Sequence, residues 1–170
     1  EVATERSARA CQCLMAMPEF AAASHVMAYV SFGSELQTRD LCAAVLRSGK
    51  KLYIPRVRDV FSMDICAWDG DPTALISGFN SIPQPRPGVL AVDAELLEFV
   101  VVPGLAFDER CARLGRGRGY YDRLLADARM RAFFCGLAFE LQIVSVLPLE
   151  AHDQLMDAVV TEAKLRTTAQ

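Results

Sequence analysis

The sequence lacks the features that would place it in a membrane or on a nucleic acid. Its aliphatic runs, such as residues 100–102, are far shorter than the roughly 20 apolar residues that span a bilayer. Basic residues are not in excess, because 18 Lys and Arg stand against 21 Asp and Glu, for a formal net charge of -3. Proteins that bind nucleic acid are usually basic. We therefore expect neither a membrane nor a nucleic-acid partner, and any anion site must be local.

The sequence also lacks the usual pattern of a zinc site. No C-x-x-C pair occurs, and histidine is found only twice. The six cysteines are Cys11, Cys13, Cys42, Cys66, Cys111 and Cys135. Those at positions 42, 66 and 135 lie in apolar stretches, so we interpret them as core thiols. We expect all six to be reduced, and we predict a cytoplasmic location.

The length and the hydrophobic content of the chain are those of a single domain. It has 170 residues, of which 52% are hydrophobic, enough for a sizeable core. We treat residues 1–170 as a single domain and expect a monomer. The first residue is Glu1 rather than Met, and no signal peptide is visible. This beginning favours a chain whose N-terminal helix is truncated or missing.

The first third of the chain predicts a strand–helix–strand unit. Residues 5–17 carry apolar side chains at helical spacing up to Pro18, and residues 26–32 indicate a buried strand. Thr38 is suited to cap a helix that ends at Gly49, and residues 52–57 follow as the next strand. A single crossover helix between two strands favours parallel pairing.

The rest of the chain continues the alternation of strands and helices. Residues 69–92 are rich in Gly and Pro, which predicts a loop because each Pro removes a backbone donor. Further strands are predicted at residues 99–103, 133–139 and 158–161, and a helix from about Tyr120. The predicted fold class is α/β, a single three-layer domain with a mostly parallel, Rossmann-like central sheet flanked by helices.

The most informative part of the sequence is the glycine–arginine segment, residues 113–122. It reads Arg113, Leu114, Gly115, Arg116, Gly117, Arg118, Gly119, Tyr120, Tyr121 and Asp122. Glycine lets backbone N–H groups turn toward an anion, and arginine provides a planar fork for phosphate or carboxylate oxygens. The helix that follows adds unpaired N–H groups that favour phosphate. Asp122 lies in its first turn, where a carboxylate can hold Mg²⁺ beside phosphates.

Two common phosphate motifs do not fit this segment. Counted from Gly115, both a Walker A loop and a dinucleotide fingerprint need Gly five positions later, but the residue there is Tyr120, and Walker A also needs Lys where Tyr121 stands. An exposed basic turn remains the plain alternative. Glu35 adds a second signal, because it follows a predicted strand, and ligands of open α/β sheets collect at the carboxyl ends of strands.

The glycine–arginine segment resembles the R-L-G-x-G-x-G-Y-Y-D pattern of the 5-formyltetrahydrofolate cyclo-ligases. Other parts of the chain are similar to that family as well. They are Pro103 to Asp108 (P-G-x-A-F-D), Glu35 to Thr38 (E-L-Q-T), Tyr53 to Arg56, the loop with Pro85, and Leu147 to Glu162 (L-P-x-x-x-x-D-x-x-x-D-x-[VI]-x-T-E). The resemblance implies ATP-dependent cyclisation of 5-formyltetrahydrofolate, free or polyglutamylated, to 5,10-methenyltetrahydrofolate, through a phosphorylated formyl intermediate.

The resemblance also implies roles for individual residues. ATP would bind along residues 113–121, and the substrate would contact Glu35 and residues 116–120. Arg116 and Tyr120 would act in catalysis. Mg²⁺ would be held by Asp122 and Asp153.

One departure from the family keeps other interpretations open. Family members begin with a helix that contains a K-x-x-L-R-like element for the nucleotide phosphates, and this sequence has none. One alternative is a non-catalytic regulator that binds folate or nucleotide. Another is an ATP-dependent ligase or small-molecule kinase with an unrelated substrate.

Overall fold

The computed structural model describes residues 1–168 and has the predicted α/β architecture. The helices are α1 (Val2–Met15), α2 (Pro18–Ala22), α3 (Arg39–Arg47) and α4 (Tyr120–Ala126). The strands are β1 (His25–Met27), β2 (Lys51–Val57), β3 (Met63–Ala67), β4 (Leu75–Ser77), β5 (Pro83–Pro85), β6 (Phe99–Val102), β7 (Ala106–Asp108), β8 (Arg113–Leu114), β9 (Phe133–Leu137), β10 (Ile143–Val144), β11 (Ala158–Val160) and β12 (Leu165–Thr167). Within residues 1–168, no helix has the length and apolarity to cross a membrane.

A seven-stranded sheet in the order β12-β11-β9-β6-β1-β2-β3 forms the centre of the molecule. Its five inner strands are parallel, and the two edge strands, β12 and β3, run antiparallel to their neighbours. The strands β2 and β3, which follow β1, lie on one side of it. The strands β9, β11 and β12, which follow β6, lie on the other side of the sheet. The strand order therefore reverses between β1 and β6, and such a switch point opens a crevice at the carboxyl ends of the strands.

Both faces of the sheet are covered, which gives the predicted three layers. On one face, α1, α2 and α3 pack on strand residues such as Val26, Leu52 and Val101. On the other face, α4 and the small sheet β10-β7-β8 pack on residues that include Val100 and Val102. Each fully buried Val or Leu contributes about 1.5–3 kcal/mol relative to an exposed one. The six cysteines are free, and only Cys13 is exposed.

The predicted strand at residues 26–32 is shorter in the structure. β1 ends at Met27, and residues 28–38 form a loop before α3. In this loop the Thr38 hydroxyl donates to the Tyr29 carbonyl and accepts from the Ser31 N–H, which takes two backbone groups that a longer strand could pair. Thr38 precedes α3 as predicted, but its hydroxyl braces this loop rather than capping the helix.

The first helix and the proline-rich region also differ from prediction. α1 ends at Met15, and Pro18 starts the short helix α2, where its missing N–H has no cost. Residues 69–92, predicted as a loop, contain the antiparallel β4–β5 hairpin. The side-chain amide of Gln84, between two prolines, accepts from the Val57 N–H at 3.1 Å and so fixes this hairpin to the end of β2.

Candidate functional site

A cavity of about 300 Å³ lies where the carboxyl ends of β1, β2 and β6 meet. Most of its lining comes from three parts of the chain: the loop after β1, the β4–β5 hairpin with the end of β2, and the glycine–arginine segment. The start of β3 and the two residues after β6 complete it. The residues that line it are Tyr29, Val30, Phe32, Glu35, Pro55, Val57, Met63, Phe79, Asn80, Ile82, Pro83, Pro103, Gly104, Arg113, Gly115, Arg116, Arg118, Gly119, Tyr120, Tyr121 and Asp122. The cavity occupies the switch point of the sheet, where ligands of this fold class bind.

The cavity brings together Glu35 and Arg116, which are distant in the sequence. Arg116 Nη2 lies 3.3 Å from Glu35 Oε1. The other carboxylate oxygen, Oε2, accepts from the Phe32 N–H at 3.0 Å. Burial raises the pKa of Glu35, while the Phe32 amide and the Arg116 guanidinium oppose the rise. A half-exposed cation is therefore in contact with a mostly buried carboxylate in the lining of the cavity.

Arg113 is fixed more firmly than Arg116. Its Nε donates to the Pro103 carbonyl at 2.7 Å, and its Nη1 lies 3.3 Å from Asp122 Oδ1. The guanidinium also stacks over the Tyr121 ring, 5.4 Å from the centroid. A Cβ at Gly115 would come within 2.9 Å of this guanidinium. Burial lowers the pKa of Arg113 and Asp122 opposes this, and an arginine stays charged in proteins.

The two tyrosines of the glycine–arginine segment have different environments. Tyr121 is buried, and burial raises the pKa of its hydroxyl. Tyr120 is half-buried; its ring lines the cavity while its hydroxyl donates to the Asp59 carbonyl at 2.6 Å. Arg118 stacks on Phe79 of the β4–β5 hairpin, 5.1 Å from the ring centroid. The segment is thus connected to both neighbouring walls.

Three of the predicted site residues lie outside the cavity lining among the residues that the structure describes: Leu114, Gly117 and Asp153. Leu114 pairs with Ala106 in the small sheet. Asp153 Oδ2 accepts from the Glu150 N–H at 2.7 Å in a surface turn. Over residues 1–168 no group of three or more His, Cys, Asp or Glu side chains could hold a metal ion.

Two features of the site were not assigned a role from the sequence. Phe79, on the β4–β5 hairpin, lines the cavity although it lies in a region predicted as a loop. Asp108, fully buried, accepts from the backbone N–H groups of Arg110, Ala112 and Leu147 and so shapes the turn that leads into Arg113. The sequence marks Asp108, because it ends the P-G-L-A-F-D motif, but it does not mark Phe79.

Known proteins resemble this chain over most of its length. The model of the 5-formyltetrahydrofolate cyclo-ligase family matches residues 1–162. The 5-formyltetrahydrofolate cyclo-ligase of Escherichia coli (strain K12) is 32% identical over 155 residues, which cover 89% of this chain and 85% of that protein. A probable 5-formyltetrahydrofolate cyclo-ligase of Schizosaccharomyces pombe is 28% identical over 169 residues, covering 91% and 83% respectively.

The similarity extends to solved structures. The 5,10-methenyltetrahydrofolate synthetase of Aquifex aeolicus superimposes with a TM-score of 0.80 at 33% identity, covering 96% of this chain and 81% of that one. A synthetase of the same name from Mycoplasma pneumoniae gives a TM-score of 0.75 at 15% identity, which supports the fold alone. Sequence motifs, fold and family match agree, and the chain belongs to the 5-formyltetrahydrofolate cyclo-ligase family.

Proposed function

We propose that this protein uses ATP to convert 5-formyltetrahydrofolate to 5,10-methenyltetrahydrofolate, with release of ADP and phosphate. The observation that carries the proposal is the single cavity in which Glu35 faces Arg116, with Asp122 also in its wall. Such a cavity offers an acceptor for a heterocycle and cations for phosphates in one place. Family membership supplies the reaction that needs both.

The cavity has two chemically different parts that suit the two substrates. The lining includes the apolar side chains of Val30, Val57, Met63, Ile82 and Pro83, which suit the rings of a folate. The Glu35 carboxylate lines the same cavity, where it would accept from the N–H edge of a pterin. Arg116, Arg118 and the N–H groups of the glycine–arginine segment are suited to phosphate oxygens.

The proposed reaction has two steps, and the protein contributes position and charge to both. In the first, the formyl oxygen attacks the γ-phosphorus and the bond to the ADP oxygen breaks, which gives an iminophosphate. In the second, N10 attacks the formyl carbon, phosphate leaves with the formyl oxygen, and the proton of N10 is released to solvent. Arg116 is placed to follow the negative charge as it moves between the phosphates and the acceptor oxygen. Tyr120 also lines the cavity, where its ring would pack against the substrates.

A magnesium ion fits this site only as a partner of the nucleotide. Asp122 is the carboxylate of the glycine–arginine segment in the cavity wall, and its side chain is 61% exposed. Proteins commonly hold Mg²⁺ by one or two carboxylates together with substrate phosphates and water. When bound, Mg²⁺ would neutralise phosphate charge. Asp122 would orient it through one oxygen while Arg113 holds the carboxylate, and Asp153 would join only if its turn approaches the cavity.

The test is formation of methenyltetrahydrofolate, followed by absorbance, with 5-formyltetrahydrofolate, ATP and Mg²⁺. We expect product only when all three are present, and we expect Glu35→Gln to be much less active than the control Glu150→Gln, a change at an exposed turn residue. Tight binding of folate or nucleotide without turnover would instead identify a non-catalytic regulator. Product without ATP would refute the proposed reaction.

A further inference from the structure

The loop between β1 and α3, residues 28–38, carries Glu35 and is braced from inside. The brace is the side chain of Thr38, which is fully buried. Its hydroxyl donates to the Tyr29 carbonyl and accepts from the Ser31 N–H at 3.2 Å. The backbone N–H of Thr38 donates to the Ser31 hydroxyl at 3.3 Å. Ser31 and Thr38 are therefore joined in both directions, and the bend between them is closed.

Glu35 lies inside this closed bend and depends on its shape. The Phe32 N–H donates to Glu35 Oε2 at 3.0 Å, and the Glu35 N–H donates to the Phe32 carbonyl at 3.2 Å. Phe32 directly follows Ser31, so a shift of Ser31 would move the donor that orients the carboxylate. The only other polar contact of this carboxylate among the described residues is with Arg116 at 3.3 Å.

The hydroxyl of Thr38 is used in an unusual way for its position. A threonine directly before a helix ordinarily accepts from an N–H of the first helical turn. Here the hydroxyl turns away from α3 and satisfies two backbone groups of the loop instead. Replacing it by a methyl group would leave the buried Tyr29 carbonyl and the Ser31 N–H without this partner, a costly arrangement.

We propose that Thr38 is a positioning residue for the substrate, because its hydroxyl holds the loop in the shape that presents the Glu35 carboxylate to the cavity. This inference rests on the proposed function insofar as Glu35 binds folate. It adds a role for a residue that touches neither the cavity nor a ligand. Serine would keep the brace, whereas valine would keep the shape of threonine and lose the brace.

The test compares Thr38→Val and Thr38→Ser in binding of 5-formyltetrahydrofolate by calorimetry. We expect Thr38→Val to weaken binding about tenfold and Thr38→Ser to weaken it less than about threefold. In a Glu35→Gln background, Thr38→Val should change the affinity less than about twofold, because coupled residues are non-additive. Thr161→Val is the matched control: Thr161 is also fully buried and uses its hydroxyl, but it lies outside the cavity lining.

A second measurement keeps the inference testable if folate does not bind to the wild type, a result that would refute the proposed function by itself. Hydrogen exchange of the Phe32 amide reports directly on its bond to Glu35. Thr38→Val and the milder Ser31→Ala should both speed this exchange, whereas Thr38→Ser and Thr161→Val should not. Ser31→Ala also serves where Thr38→Val fails to fold. Unchanged Phe32 exchange in Ser31→Ala, or equal loss of affinity in both Glu35 backgrounds, would overturn the positioning role.

Discussion

Replacement of Arg116 by lysine should lower the activity of the protein while leaving its thermal stability nearly unchanged. The Arg116 side chain is 52% exposed, and its ion pair with Glu35 spans 3.3 Å. A pair with one partner this exposed contributes about 0–1 kcal/mol to folding. In a chain of 170 residues, about 1 kcal/mol corresponds to a change in melting temperature of about 2–4 °C. We therefore expect Arg116→Lys and Arg116→Ala to melt within about 4 °C of the wild type.

The effect on activity should be much larger than the effect on stability. Lysine keeps the positive charge but loses the planar fork, so it cannot hold two oxygens in the same geometry. Gly115 and Gly117 flank the arginine, and the φ angle of Gly117 is 87°. The left-handed φ of Gly117 bends the backbone directly after Arg116. We expect kcat/KM to fall at least about tenfold for Arg116→Lys, equivalent to about 1.4 kcal/mol, and further for Arg116→Ala.

Steady-state kinetics of the cyclisation reaction, together with thermal melting, measures both quantities on the same preparations. Arg131→Lys is the matched control, because Arg131 donates to the nearby carbonyls of Ala128 and Met130 and lies outside the cavity lining. Its rate should stay close to that of the wild type. Normal rates for both Arg116 variants would refute the reasoning and leave the glycine–arginine segment as an exposed basic turn.

Three further predictions concern carboxylates. Asp122→Asn should raise the Mg²⁺ concentration needed for half-maximal rate at least about tenfold while leaving the melting temperature nearly unchanged. Glu35→Gln should weaken folate binding, measured by calorimetry, by about 1.5–3 kcal/mol, the usual loss of a charge-assisted hydrogen bond. Asp108→Asn should lower the free energy of unfolding by about 3 kcal/mol at neutral pH, because a fully buried carboxylate loses backbone and Arg110 donors. Burial raises the pKa of Asp108, but these hydrogen bonds lower it below its ordinary value. The stabilisation is therefore complete above the ordinary aspartate pKa, and the gap between wild type and Asp108→Asn should close as pH falls below about 4.

Each of these predictions has its own contradicting result. Normal turnover of Asp122→Asn at limiting Mg²⁺ would remove that residue from metal binding. Unchanged folate affinity in Glu35→Gln would remove Glu35 from the substrate contacts. A stability gap for Asp108→Asn that is constant from pH 7 to pH 3 would mean that the charge of Asp108 does not matter.

The inner part of the fold was predictable because its strands are short apolar runs. Residues 52–57 and 99–103 are mostly apolar, as expected for strands covered on both faces, and both contain strands that pair in parallel with β1. The edge strands were not predicted. β12 is three residues long and only its central Arg166 is buried, so its sequence shows no apolar run. Such strands are specified by a neighbour in space, and the local sequence carries little of that information.

The candidate site shows the same limit at the level of single residues. Composition marked the glycine–arginine segment, and the structure places most of it in one cavity wall with Glu35 opposite. The sequence could not tell that Arg113 is held by the Pro103 carbonyl and by Asp122, whereas Arg116 remains half-exposed. Local patterns identify which residue types are suited to an anion. Burial and hydrogen bonding, which depend on distant parts of the chain, decide which of them is held in the protein and which stays exposed.

The pairing of β1 with β6 has a consequence for how loss of activity should be interpreted. Glu35 and the glycine–arginine segment become neighbours only after these two distant strands align, with Val26 beside Phe99. Contacts between such separated parts of a chain form slowly, because the intervening loop must close first. The cavity is therefore absent from any partly folded chain in which β1 and β6 are not yet paired. A small side chain at Phe99, which is fully buried, would lower activity by reducing the population of folded molecules, whereas a change at Arg116 would lower it in molecules that are fully folded.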